Sequence, residues 1–356
     1  MKKDWLFIIS AGLIIGISAI ILVLKGNPPN MGFCIACFER DIAGALGLHR
    51  ASVVQYLRPE ILGILFGALI IAFMFKEFKP EGGSSPMLRF FIGIFIMIGS
   101  LVFLGCPIRM TLRLGGGDLN ALVGLLGIIA GIFIASMFLK AGFDLGRAKK
   151  VNKSDAYILP LIFLALLGFL LFKPIFNPDA GGPIFFSTEG PGAMVAPIIF
   201  SIVAGLLVGV IGQRSRFCTI GGIRDFILFK DTHLLTGLIV LFLTVLFGNL
   251  VFGKFNLGFV GQPIAHNWHI WNFLGLALAG WGSVFLGGCP FRQLILSANG
   301  NTDSAITVMG MVVGAAVSHN FVLAASPKGV PVYGQVAVII GLIFLLIMGF
   351  LNLEKS

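Results

Sequence analysis

The chain has 356 residues, of which 57% are hydrophobic and only 11% charged. A soluble domain averages about 25% charged residues, and no soluble interior of this size hides so much apolar surface. A lipid bilayer is therefore the implied solvent, and the longest polar stretch is too short to build a folded extramembrane domain. The net charge of +10 is explained by the loops of a membrane protein and implies no nucleic-acid partner.

At about 20 apolar residues per crossing, the predicted spans are 4–24, 59–75, 88–104, 120–139, 157–173, 192–212, 233–252, 270–288, 304–325 and 334–351. The fold class is thus an all-α polytopic membrane protein with about ten transmembrane helices. Met1-Lys2-Lys3 ahead of the first span resembles a signal n-region. No small-residue cleavage site follows, so this segment is expected to remain as a helix. Lys and Arg collect in alternate loops, most densely at Arg147–Lys153. The positive-inside rule then places both termini in the cytoplasm. Forty-eight glycines suit close helix–helix approach.

Self-similarity supplies the organisation. Phe33-Cys34 with Arg40-Asp41 recurs as Phe217-Cys218 with Arg224-Asp225, 184 residues on. Gly105-Cys106-Pro107-Ile108-Arg109 recurs as Gly288-Cys289-Pro290-Phe291-Arg292 at an offset of 183. Gly127 and Gly131 match Gly310 and Gly314 in the same register, and Asp118 has a near counterpart in Asp303. The expected halves are 1–156 and 157–356. Five spans, an odd number, separate equivalent points, so the second half is expected to enter from the opposite face, as in inverted-topology transporters. Cys37 alone lacks a counterpart, its equivalent being Gly221.

The motifs lie in four segments too short to cross: 33–48, 106–114, 217–230 and 289–299. Irregular backbone at membrane depth persists only where protein or a water-filled cavity satisfies it, so each is predicted to be a short re-entrant helix. Proline directly after cysteine suits the first helical turn. That puts Cys106 and Cys289 at N-caps, where the positive dipole end and free N–H groups favour a thiolate or an anion. Arg40, Arg109, Arg224 and Arg292 are costly to bury and add positive charge near each mouth. Asp41 and Asp225 are accessory candidates that can instead pair with the neighbouring arginines. The predicted site is therefore a path through Cys34, Cys106, Cys218 and Cys289, suited to a small soft anion carrying sulfur or selenium. Cys34-x-x-Cys37 admits a second reading as a redox pair; no acidic or histidine ligand is read beside it, so no metal is expected. His266 and His269, next to Trp268 and Trp271, read as interfacial anchors. The abundant phenylalanines read as mostly lipid-facing.

The doubled Gly-Cys-Pro-x-Arg, with Phe-Cys and Arg-Asp upstream in each half, resembles the YeeE/YedE sulfur-transport family over nearly the whole chain. The segment Met31–Asp41 is similar to the YedE branch linked to selenium metabolism. The resemblance implies a permease of the inner (plasma) membrane for thiosulfate or a selenium counterpart, rather than an enzyme, with no cofactor. It also implies partnership with a small cytoplasmic TusA-like carrier protein. Cys106 and Cys289 would hand substrate inward through S–H hydrogen bonds, with Cys34 and Cys218 as further stations. The competing readings are a membrane thiol–disulfide oxidoreductase using Cys34 and Cys37, and a membrane scaffold for a sulfur carrier.

Overall fold

The computed structural model describes residues 2–174, 182 and 184–353. Among the described residues ten long helices are present: α1 (Lys2–Leu24), α3 (Pro59–Met74), α4 (Pro86–Phe103), α6 (Leu119–Lys140), α7 (Lys153–Phe172), α8 (Ile198–Ser215), α10 (His233–Val251), α11 (His269–Phe285), α13 (Thr302–Asn320) and α14 (Val332–Leu351). Four short ones interrupt them: α2 (Ile35–Ala45), α5 (Pro107–Gly115), α9 (Thr219–Phe229) and α12 (Pro290–Ala298). The two-residue strands β1 (Glu81–Gly82) and β2 (Lys149–Lys150) pair antiparallel in a loop layer. The protein is an all-α polytopic membrane protein. Nine segments among the described residues are long and apolar enough to cross a bilayer; of the ten long helices, α13 falls outside them, its sequence holding Asp303, Ser304, Thr307, Ser318 and His319.

The helices start and stop where the local chemistry requires. The span expected from residue 192 begins only at Ile198, because Pro197 takes the N-cap. The span expected to reach residue 325 ends at Asn320, with Val322 turned to φ 56°.

Helix pairing follows the repeat. α3 lies along α8, and α1, the counterpart of α8, lies along α10, the counterpart of α3. Likewise α6 packs on α11 and α4 on α13, while α4 and α11 pack on each other. With no hydrophobic drive between helices in lipid, such pairs depend on close backbone approach. Gly127 and Gly131 supply it on α6: a Cβ at either would collide with the carbonyls of Phe273 or Ala277 on α11.

The loops gather at two ends of the bundle. At one end, Lys79 N–H donates to the Asn299 carbonyl (2.8 Å), β1 meets β2, Phe143 bridges to Leu353, and Asp4 shares a cavity with Arg214 and Asp231. Both ends of the described chain therefore lie on one side. At the other end, Asn256 N–H donates to Gly116 (2.9 Å) and Phe185 N–H to Ala45 (2.8 Å). The short helices thus form two opposed pairs. α2 and α5 start in the interior and finish at the second end. α9 and α12 start in the interior and finish at the first, where Asn299 and Lys230 terminate them.

Candidate functional site

Each short helix begins on a cysteine: Cys34, Cys106, Cys218 and Cys289 are the N-caps of α2, α5, α9 and α12. Pro107 and Pro290 occupy the first turn of α5 and α12, where the missing N–H costs nothing. The capping sulfur is that of the upstream cysteine. Cys34 Sγ accepts from Cys37 N–H (3.3 Å) and also from Cys106 N–H (3.5 Å). Cys218 Sγ accepts from Gly221 N–H (3.2 Å) and Cys289 N–H (3.4 Å). In each half, then, two helix N-termini converge on one sulfur. The expectation of N-caps at Cys106 and Cys289 stands, but their own thiols make no capping bond. All five cysteines are free and buried.

The first half carries a third thiol. Cys37 Sγ lies 2.7 Å from Cys34 Sγ, and Arg109 Nη1 is 3.7 Å from Cys37 Sγ. Arg109 is fully buried and folds back over Gly105 to the carbonyls of Asn30 (3.3 Å), Leu104 and Ile264 (3.4 Å). Its counterpart Arg292 folds over Gly288 in the same way, and its Nη1 has no hydrogen-bond partner. Neither guanidinium pairs with a carboxylate among the described residues. Arg292 instead lines a 340 Å³ cavity in which Lys76, Lys79 and Arg216 outnumber Glu77 and Glu81. A 530 Å³ cavity beside it shares Glu77, Gln213 and Arg216.

The other two predicted arginines are held differently. Arg40 chelates Asp41 Oδ1 (2.9 and 2.7 Å), and Arg224 donates to Asp225 (2.8 Å). Asp41 is further bound by Arg58 Nε at 2.7 Å, whose remaining N–H groups reach Pro191 and Met194 carbonyls. The buried triad Arg40–Asp41–Arg58 keeps an excess positive charge at the end where α2 finishes. Uncompensated guanidinium, converging N–H groups and soft sulfur together favour a soft anion.

The protein-family model described as Sulphur transport matches residues 214–350, which include Cys218, Arg224, Cys289 and Arg292. An uncharacterized protein of Methanocaldococcus jannaschii is 36% identical over 93 residues, covering 23% of this chain and 89% of that protein. The chain belongs to the sulfur-transport family.

Several residues of this sulfur transporter that sequence reasoning passed over hold the breaks together. In lipid the carbonyls freed where a helix breaks need partners, and side chains provide them. Arg113 Nη1 donates to Phe103 O (2.8 Å), and in the second half Gln293 Nε2 donates to the equivalent Leu286 O (2.9 Å). Arg113 Nε is paired with Asp118 at 2.7 Å, and both side chains are fully buried. Asp118 also caps α6 through Asn120 N–H, as Asn301 caps α13 through Ser304 N–H. The true counterpart of Asp118 is therefore Asn301. Asp303 instead accepts from Gly83 and Ser84 N–H. His266 is buried rather than interfacial, with Nε2 2.7 Å from the Val102 carbonyl; His269 and Trp268 are exposed as expected. Phe33, Phe38, Phe103, Phe217 and Phe291 are fully buried around the breaks, not lipid-facing.

The repeat register also marks Ser100 and Ser283, offset by 183, which share burial without a hydrogen-bond partner. Elsewhere Ser215, Ser318, Thr244 and Thr307 bond back to the carbonyl one turn earlier. Two buried acids were also overlooked. Glu60 holds Asn27 and Ser201, whereas Glu39 has no partner.

Proposed function

We propose that this transporter carries a small sulfur anion such as thiosulfate, or a selenium counterpart, through the two sulfur-centred sites in series. The carrying observation is that each site joins two helix N-termini to one sulfur, with an arginine folded over the adjacent glycine that pairs with no carboxylate among the described residues. The anion is drawn to Arg40 and Arg109 and meets Cys34 and Cys106. It then passes to Cys218 and Cys289 and leaves past Arg292 and Arg224 through the 340 Å³ cavity. An S–H group donates only a weak hydrogen bond, which lets the ion move on. Exchanged helix pairings and opposed short helices support two inverted-topology repeats around a midplane site, α1–α7 and α8–α14; the boundary expected at 156 falls inside α7 and moves to the segment after it. The Arg147–Lys153 charge supports an inner-membrane orientation with cytoplasmic termini. A TusA-like carrier would accept the product at that face.

Uptake of labelled thiosulfate and of selenium compounds into proteoliposomes tests this reading. Cys106→Ala and Cys289→Ala are expected to lose uptake, and normal uptake by both would sink the thiol path. The contact between Cys34 and Cys37 favours the second reading, a thiol–disulfide oxidoreductase. Trapping with an alkylating agent separates the two: free thiols at both positions in cells before and after oxidant would exclude the second.

A further inference from the structure

We propose that Glu39 is a proton-binding site that couples anion movement to a proton. The inference rests on the transport reading above and extends it to the driving force. Glu39 sits in the middle of α2, two residues after Cys37 and directly before Arg40. It is 1% exposed, and neither carboxylate oxygen has a hydrogen-bond partner.

The other buried acids show what an ionised carboxylate needs in this protein. Asp41 has Arg40 and Arg58, Asp118 has Arg113 and Asn120, and Asp303 has Arg89 with two backbone N–H groups. Glu60 is intermediate: its Oε1 accepts from Asn27 and Ser201, while its Oε2 has no partner. α2 packs against α13, α4, α12 and α3. Their titratable and charged groups are Asp303 and His319, Arg89, Arg292, and Glu60, joined on α2 by Cys37, Arg40 and Asp41. His49, which follows α2, bonds the Arg40 carbonyl. None of these groups bonds Glu39. A buried carboxylate without counter-charge or donor is too costly to keep ionised, so it holds a proton instead.

The repeat isolates this acid. The equivalent of Glu39 is Ile223, just as that of Cys37 is Gly221. The first half alone therefore joins a third thiol and an acid on one short helix. Cys37 and Glu39 point to different sides of α2, so an anion arriving beside Arg109 and Cys37 acts on the carboxyl across the low-dielectric interior, and its negative charge tightens the hold on the proton. By reciprocity the proton tightens the hold on the anion by the same factor. The two ligands then bind and leave together, and a divalent anion enters with part of its charge offset.

The test uses the full chain in proteoliposomes that enclose a pH-sensitive dye, with labelled thiosulfate outside. The wild type is expected to acidify the lumen during uptake. With the membrane potential clamped at zero, its accumulation ratio should rise about tenfold per unit of acid-outside gradient. Glu39→Gln, a neutral near-isostere of the protonated acid, should melt like the wild type but show neither response, and Glu39→Asp should retain both. Wild-type uptake without acidification, or a Glu39→Gln protein that still follows the pH gradient, overturns the coupling and leaves the transport reading intact. No uptake of any tested anion by the wild type overturns both. If Glu39→Gln fails to fold, Glu39→Ile, the residue the second half carries at this position, takes its place: loss of both responses is expected, and retained coupling overturns the assignment.

Discussion

Asp118→Asn is expected to destabilise the protein strongly, and the protein's own second half predicts which changes rescue it. Asp118 forms a 2.7 Å ion pair with Arg113, and both side chains have zero exposure. Removing one partner of such a pair leaves a buried charge unmatched, at about 3–5 kcal/mol. The asparagine keeps the cap, because Asn301 caps α13 with an amide oxygen, so the loss isolates the ion pair. At the positions of Arg113 and Asp118 the second half has Leu296 and Asn301. Arg113→Leu combined with Asp118→Asn should therefore recover most of the loss. What remains is the orphaned Phe103 carbonyl, worth about 1–3 kcal/mol. The second half closes that carbonyl with Gln293, which stands where the first half has Met110. Adding Met110→Gln should restore near wild-type stability. Thermal unfolding in detergent reads the series, with a drop on the order of 5–10 °C for the single variant. If Asp118→Asn is as stable as the triple variant, the reasoning fails.

Further outcomes follow from particular contacts. Gly131→Ala should cost about 1–3 kcal/mol of stability by forcing α6 off the Ala277 carbonyl. Gly168→Ala on α7, where a Cβ meets nothing within 4 Å, should be neutral or gain up to about 1 kcal/mol. Ser100→Ala and Ser283→Ala, which remove unpartnered hydroxyls, should leave the melting temperature unchanged or raised. Ser318→Ala, which breaks a 2.7 Å bond to Gly314, should lower stability by about 1 kcal/mol. Burial holds the His266 imidazole below its ordinary pKa, so the folded protein keeps it neutral while the unfolded chain takes up a proton. Its contribution is present above the imidazole's ordinary pKa of ~6.5 and is lost progressively as pH falls below it. Thermal melts of wild type and His266→Gln at pH 7.5 and 5.5 should show a smaller acid loss in the variant.

The helices and breaks were legible because they rest on one-dimensional signals. Charge-poor apolar runs marked the long helices, and Cys-Pro followed by arginine marked the starts of α5 and α12. Self-comparison showed that the motifs came in pairs. What stayed hidden depends on convergence in space. Nothing in the spacing of Cys34 and Cys106 says that the amide of one meets the sulfur of the other. Adjacent Arg-Asp pairs left open whether Arg40 and Arg224 serve a substrate or their own aspartates, and in the fold the aspartates hold both. Asp303 drew attention as the acid nearest to the register of Asp118, although capping geometry matches Asn301. His266 looked interfacial because of its tryptophan neighbours, yet a carbonyl freed at the end of α4 draws it inside. Glu39 was overlooked because a lone acid among cysteine and arginine carries no motif.

The central claim is a path whose two sulfur sites are reached from opposite faces. Side-resolved alkylation of Cys106 and Cys289 in sealed vesicles, read by peptide mass spectrometry with a membrane-impermeant reagent, tests it most directly. During turnover Cys289 should react from the face that bears Arg292 and its cavity, and Cys106 from the opposite face. Thiosulfate should slow both reactions. Labelling of both cysteines from one face, or rates that thiosulfate leaves unchanged, would contradict the account.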